Sequence, residues 1–416
     1  MDLQTGLATL FVVSAVSACA PFIAGLLRRM NLPQVVVLIV GGILIGPDVL
    51  GWADPPSIEL LENVGLGFLF LMAGYELELD LFREHVGRRA VVAWFVTAVI
   101  AVSVTGLLAA IGFVHAFVPV ALGLTTTAFG ALLPILRDND MLSGSFGRYI
   151  LPAGAVGEFL PIVGIAVFLS ANGKFLGLIS LVGMALVAFV LAWLPRIMHG
   201  RRRLVQITRE GEHATAQITL RITLCLMFLL LLVASNFGLD VVLGAFLAGV
   251  VLRRWAPGDV RSLETKLDAV GYGFFIPVFF IYSGMTLDLQ AIAEAPERVV
   301  VFLFLLLTVR GVPALFLYRH DLGASQRLQM TLLTATALPL LVALSQIGLS
   351  TGHMLPENAA ALVGAGVLSV MFFPGLAVAL KKRGSGVTTG PEQDVGDGQG
   401  RVGIDVSPSP STDRRP

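Results

Sequence analysis

The stretch Gly67-Phe68-Leu69-Phe70-Leu71-Met72-Ala73-Gly74-Tyr75-Glu76-Leu77-Glu78-Leu79 has an echo far downstream, Pro277-Val278-Phe279-Phe280-Ile281-Tyr282-Ser283-Gly284-Met285-Thr286-Leu287-Asp288-Leu289. Each is an aromatic-rich apolar run that reaches a glycine and then a short polar or acidic end. Aligning Gly74 with Gly284 separates the copies by about 210 residues. Thr125-Thr126-Thr127-Ala128 pairs with Thr334-Ala335-Thr336-Ala337, and Gly42 with Gly249, at nearly the same spacing. A shared offset over three segments marks an internal repeat, of the kind on which membrane transporters are built.

Composition agrees. The chain of 416 residues is 56% hydrophobic and only 13% charged, too little charge to cover a water-facing surface. The apolar windows place thirteen spans, near 5–27, 33–50, 63–79, 90–112, 118–136, 149–170, 174–195, 216–235, 239–252, 271–287, 299–317, 328–347 and 358–380. Six precede the span at 174–195 and six follow it. The linker span therefore delivers the second half from the opposite face, which inverts the two six-helix repeats. The expected fold class is an all-α membrane protein with two inverted repeats and discontinuous helices.

Orientation follows from the basic residues. Arg28 and Arg29, Arg83, Arg88 and Arg89, Arg137 and Arg148, the cluster from Arg196 to Arg209, Arg253 to Lys266, Arg319 and Arg327, and Lys381 to Arg383 all fall on one side. The opposite loops hold Lys174 and Arg298 with acids such as Asp48, Asp54, Glu59 and Glu62. This places the N-terminus outside and the C-terminus in the cytoplasm of a cell inner membrane. Residues 1–383 form the membrane domain. Residues 384–416, rich in Gly, Ser, Pro and Asp, read as a disordered cytoplasmic tail.

Several function classes drop out. A formal net charge of zero speaks against nucleic acid as a partner. Cys19 and Cys225 sit in apolar runs and offer neither a disulfide framework nor a thiolate site. The histidines form no ligand pair, so no resident metal or cofactor is expected. Ala18-Cys19-Ala20 has the look of a cleavage site, but the positive charges follow the apolar run, so it reads as the first span. No phosphate-binding loop is present to couple transport to ATP.

Charge in mid-membrane is costly and usually functional. Glu158 and Arg310 are the two residues that fall centrally in their spans, while Glu76, Glu78 and Asp80 fall at a helix end. Proline withholds a hydrogen bond from the carbonyl four residues earlier: Pro161 frees Gly157 beside Glu158, Pro313 frees Val309, Pro134 frees Gly130, and Pro339 frees Ala335. Such carbonyls, with the hydroxyls of Thr126, Thr127, Thr334 and Thr336, could strip water from a monovalent cation at Glu158. The same hydroxyls could instead bond back to their own helices. Arg310 reads as a structural, charge-compensating group.

Leu32-Pro33 through Gly41-Gly42-Ile43-Leu44-Ile45-Gly46-Pro47, together with the blocks at 68–80, 125–138 and 276–289, resembles the bacterial monovalent cation:proton antiporters. This is the branch with sodium/proton antiporters and glutathione-gated potassium efflux proteins. The resemblance covers residues 5–380. It implies exchange of Na⁺ or K⁺ for protons by a homodimer, without enzymatic chemistry. It also implies a scaffold of residues 1–82 and 214–290, a mobile ion-carrying core of 90–170 and 298–380, a linker helix at 174–195, and broken fifth and twelfth helices crossing at the site. The family usually carries Asp-Asp, Asn-Asp or Gln-Asp where this chain has Gly157-Glu158, and many members carry lysine where it has Arg310. With one acid in place of two, exchange is expected to be electroneutral. An organic anion carrier on the same scaffold, or a potassium efflux protein, is the alternative.

Overall fold

The computed structural model describes residues 3–26, 33–77, 84–169 except 115, 174–198, 217–255 and 260–385 except 351 and 353. Several expectations lie outside these residues: Arg28 and Arg29, Glu78 and Asp80, the basic run at 201–209, and the tail from 386 onward.

The described residues are helical, without a strand. The first half contains α1 (Leu3–Leu26), α2 (Gln34–Ile45), α3 (Glu59–Glu76), α4 (His85–Ala110), α5 (Phe117–Gly123), α6 (Phe129–Asp138), α7 (Gly144–Phe168) and α8 (Lys174–Met198). The second contains α9 (Ile218–Asn236), α10 (Val241–Trp255), α11 (Val260–Val270), α12 (Ile276–Met285), α13 (Leu289–Glu294), α14 (Pro296–Leu305), α15 (Val312–Leu317), α16 (Ala324–Thr334), α17 (Pro339–Ser350) and α18 (Pro356–Ser385). Two π-helical turns, Gly271–Phe275 and Leu306–Gly311, join α11 to α12 and α14 to α15.

Local chemistry sets many of these ends. Pro296, Pro339 and Pro356 each open a helix, where a missing N–H costs nothing and the ring presets φ. Gly112 and Gly238, with φ of 75° and 67°, follow the ends of α4 and α9 as left-handed caps.

Among the described residues, eight helical stretches are long and apolar enough to cross a membrane: Leu3–Leu26, His85–Ala110, Gly144–Phe168, Ile218–Asn236, Leu263–Met285, Pro296–Leu317, Ala324–Ser350 and Pro356–Lys382. Gln34–Ile45 and Gly177–Trp193 are shorter apolar helices. Three further expected spans are not among these: the fifth, expected to be broken, is split between α5 and α6, α10 has 15 residues, and α3 carries Glu59, Glu62 and Glu76.

The repeat glycines are used reciprocally. A Cβ on Gly42 would strike the carbonyl of Ile281, and one on Gly284 the carbonyl of Ile39, so α2 and α12 cross antiparallel with backbones touching. Gly74 meets the carbonyl of Phe246 and Gly249 that of Leu71, giving α3 and α10 a crossing of the same build. Small residues permit such close approach where apolar solvent gives helices little reason to associate. One large apolar core unites residues of α1, α2, α3, α10 and α12. A second gathers Leu132, Ile150, Tyr318 and Met330, and a third Val120, Phe302, Leu341 and Leu362.

Candidate functional site

Two interruptions meet inside the bundle. Leu124–Ala128 separates α5 from α6, and Ala335–Leu338 separates α16 from α17. Backbone freed by these breaks finds partners across the crossing. The amide of Ala128 donates to the carbonyl of Thr336 at 2.8 Å, and that of Thr127 donates to the carbonyl of Gly157 at 2.9 Å. The Gly157 carbonyl, expected to be freed by Pro161, is therefore a working acceptor. Pro339 is different: it opens α17, so the interruption lies before it and not in a kinked helix.

Glu158 lies on α7 and is 6% exposed. Its Oε2 accepts from the amide of Gly130 at 3.3 Å. Gly130 is the second residue of α6, so the carboxylate sits where a helix N-terminus presents positive charge. An ionised side chain at this depth costs roughly 3 kcal/mol on insertion scales, and the half-helix offsets part of that.

Arg310 lies in the π turn between α14 and α15 and is 4% exposed. Its Nε donates to Thr127 Oγ1 at 3.0 Å and its Nη2 to the carbonyl of Ala153 at 3.2 Å. Thr127 Oγ1 in turn donates to the carbonyl of Thr334, the last residue of α16, at 2.7 Å. The guanidinium thus rests, through a hydroxyl, on the negative end of a half-helix. Among the described residues no ion pair joins Arg310 to Glu158; each is met by a dipole of opposite sign.

Gly157 explains how they fit. A Cβ there would collide with Arg310 Nη2 and Thr127 Oγ1. A side chain at 157 would have to displace one of these two groups.

The remaining threonines behave alike. Thr126 Oγ1 donates to Gly123, Thr334 Oγ1 to Met330 and Thr336 Oγ1 to Leu332, all on their own helices. Their hydroxyls therefore cap the breaks, and the carbonyls of Thr334 and Thr336 make the cross-links. Gly130 takes part through its amide and not through the carbonyl that Pro134 was expected to free. Residues that sequence reasoning missed complete the site: the carbonyl of Ala153, and Ser369 of α18, whose hydroxyl contacts both the amide and the carbonyl of Ala337 at 3.1 and 3.0 Å. Glu76, which fell at a helix end in the sequence, has a buried oxygen without a hydrogen-bond partner.

Interrupted helices meeting in an apolar bundle, with half-helix ends turned toward a buried charge, define a membrane-embedded secondary transporter. The family model for "Sodium/hydrogen exchanger, transmembrane" matches residues 14–380. The chain belongs to this family of membrane antiporters. It is 28% identical over 394 residues to the putative Na⁺/H⁺ antiporter YjbQ of Bacillus subtilis, covering 89% of this chain and 62% of that protein. The Na⁺/H⁺ antiporter NhaS4 of Synechocystis is 24% identical, with 70% of this chain and 76% of that one covered. The fold is like that of the sodium proton antiporter MjNhaP1 from Methanocaldococcus jannaschii. That match has a TM-score of 0.64 and 16% identity, and covers 93% of this chain and 97% of that one.

Proposed function

We propose that this protein exchanges a monovalent cation, Na⁺ or K⁺, for protons, and that Glu158 binds the two alternately. The observation that carries this reading is one buried carboxylate on the amide of Gly130, beside the crossing of two broken helices. A proton or a small cation can neutralise it. The donors of Arg310 described above are engaged by Thr127 and Ala153, which weighs against a role in holding an organic anion.

The cycle is of elevator type. The core, residues 90–170 and 298–380, moves against a scaffold of residues 1–82 and 214–290, with 174–195 as the linker helix. Thirteen spans form two inverted repeats, a pairing that the reciprocal glycine crossings of α2 with α12 and of α3 with α10 support. The protein works as a homodimer in the cell inner membrane, N-terminus outside and C-terminus in the cytoplasm. Exchange is electroneutral.

The test is proton flux in proteoliposomes on addition of Li⁺, Na⁺, K⁺ and Rb⁺ in turn. Flux driven by at least one of these supports the reading, and none with any of the four refutes it.

A further inference from the structure

Helix α3 carries a second buried carboxylate. Glu62 precedes Glu76 by about fourteen residues, nearly four turns, so the two share one face roughly 21 Å apart. Leu66 and Leu69, on the same face between them, are buried. Glu62 is 3% exposed, and its Oε1 accepts from Gln346 Nε2 of α17 at 3.4 Å. This polar contact joins α3 to a helix of the opposite repeat, 284 residues away in the chain. At the other end of the same face the arrangement reverses: a buried oxygen of Glu76 has no hydrogen-bond partner.

From this asymmetry we infer that Glu62 and Gln346 form a latch between scaffold and core. The latch closes the seam at the Glu62 end while Glu158 communicates with the Glu76 end. A buried carboxylate that loses its donor must find another partner or water, so the contact is either made or replaced, and its two states match two positions of the core. Removing it should shift the population toward the conformation open at the Glu62 end. Both residues act through the position of α17, so they are positioning residues. The inference rests on the antiport reading above.

The experiment measures apparent cation affinity separately on the two faces of oriented proteoliposomes, with whichever of Na⁺ or K⁺ the wild type exchanges. Gln346→Ala removes the donor, and Gln346→Glu sets carboxylate against carboxylate. Each should lower the apparent KM at the Glu62 face and raise it at the Glu76 face, by up to about fivefold for a hydrogen bond of ordinary worth. Glu62→Gln combined with Gln346→Glu rebuilds an amide–carboxylate pair with its ends exchanged and should return both values to wild type. Equal changes on both faces, or an asymmetry that the exchanged pair fails to reverse, would overturn the latch. So would a wild-type KM on both faces in the single variants. Absence of exchange in the wild type refutes the antiport reading instead, so the two failures are told apart.

Discussion

Arg310 donates through Nε to the hydroxyl of Thr127 at 3.0 Å, which ties a π turn of one repeat to the broken helix of the other. The guanidinium lies against Gly157, and Glu158, the next residue, turns instead to the amide of Gly130. One turn of α7 thus keeps a fixed cation and an exchangeable carboxylate apart. Each holds its charge against a separate dipole, so Glu158 can change its partner without Arg310 giving up its own.

Gly157→Ala tests that spacing. The added methyl meets Arg310 Nη2 and Thr127 Oγ1, and overpacking at such a point costs about 1–3 kcal/mol. Thermal unfolding in detergent should show a clear loss, and exchange should fall with it. An alanine variant as stable and active as the wild type would mean that the guanidinium does not occupy this space.

Thr127 is the bridge, so its hydroxyl matters more than its methyl. Thr127→Val leaves Arg310 Nε without its acceptor and the Thr334 carbonyl without a donor, at a cost of about 1–3 kcal/mol for each unsatisfied group. Thr127→Ser should recover most of the loss. Equal stability of the valine and serine variants would refute the bridge.

Much of this was legible in advance, for reasons that particular residues make plain. Glu158 and Arg310 stand out because a charge inside an apolar run needs no structure to be noticed. The breaks at 124–128 and 335–338 were implied by the family resemblance, while the threonines and Pro339 alone were equally compatible with kinked helices. The partners of Arg310 were not legible, because they depend on a π turn without a periodic signature and on how α7 packs against the α5–α6 break. Gly157 read as a lost acid, and only the packing reveals that its bare Cα makes room for Arg310. Helix length was legible too: α10 and α3, expected near 239–252 and 63–79, have 15 and 18 residues, but their reliance on close glycine contacts shows only in the packing.

Arg310→Lys keeps the charge but offers one ammonium where the guanidinium reaches Thr127 and Ala153 at once. Exchange should persist, with stability between those of wild type and Arg310→Ala. The alanine variant leaves Thr127 and Ala153 without their donor and should unfold at a lower temperature. Melting curves of the three proteins decide the matter, and an alanine variant that melts with the wild type would sink it.

Glu158→Gln should abolish cation-driven proton flux while preserving the fold. A glutamine keeps the size of the side chain and can still accept from Gly130, but it carries no titratable proton. Size-exclusion behaviour and melting temperature should match the wild type. Wild-type flux in this variant would remove Glu158 from the carrier role.

Stoichiometry follows from counting the groups that can exchange a proton at the crossing. Gly157 contributes none, and an arginine stays protonated throughout a transport cycle. Glu158 then holds either one proton or one monovalent cation, and the two loaded states carry the same charge. One-for-one exchange is the expected result. A potassium/valinomycin diffusion potential imposed on liposomes during Na⁺-driven flux should therefore leave rate and endpoint nearly unchanged. A two-for-one exchanger would gain about 2.3 kcal/mol of drive per 100 mV for its net charge. Should the endpoint follow the voltage, Glu76 is the acid to test, because one of its oxygens is buried without a partner. Glu76→Gln would then restore insensitivity to voltage if Glu76 supplies the second proton, and would leave the voltage response intact if another group does.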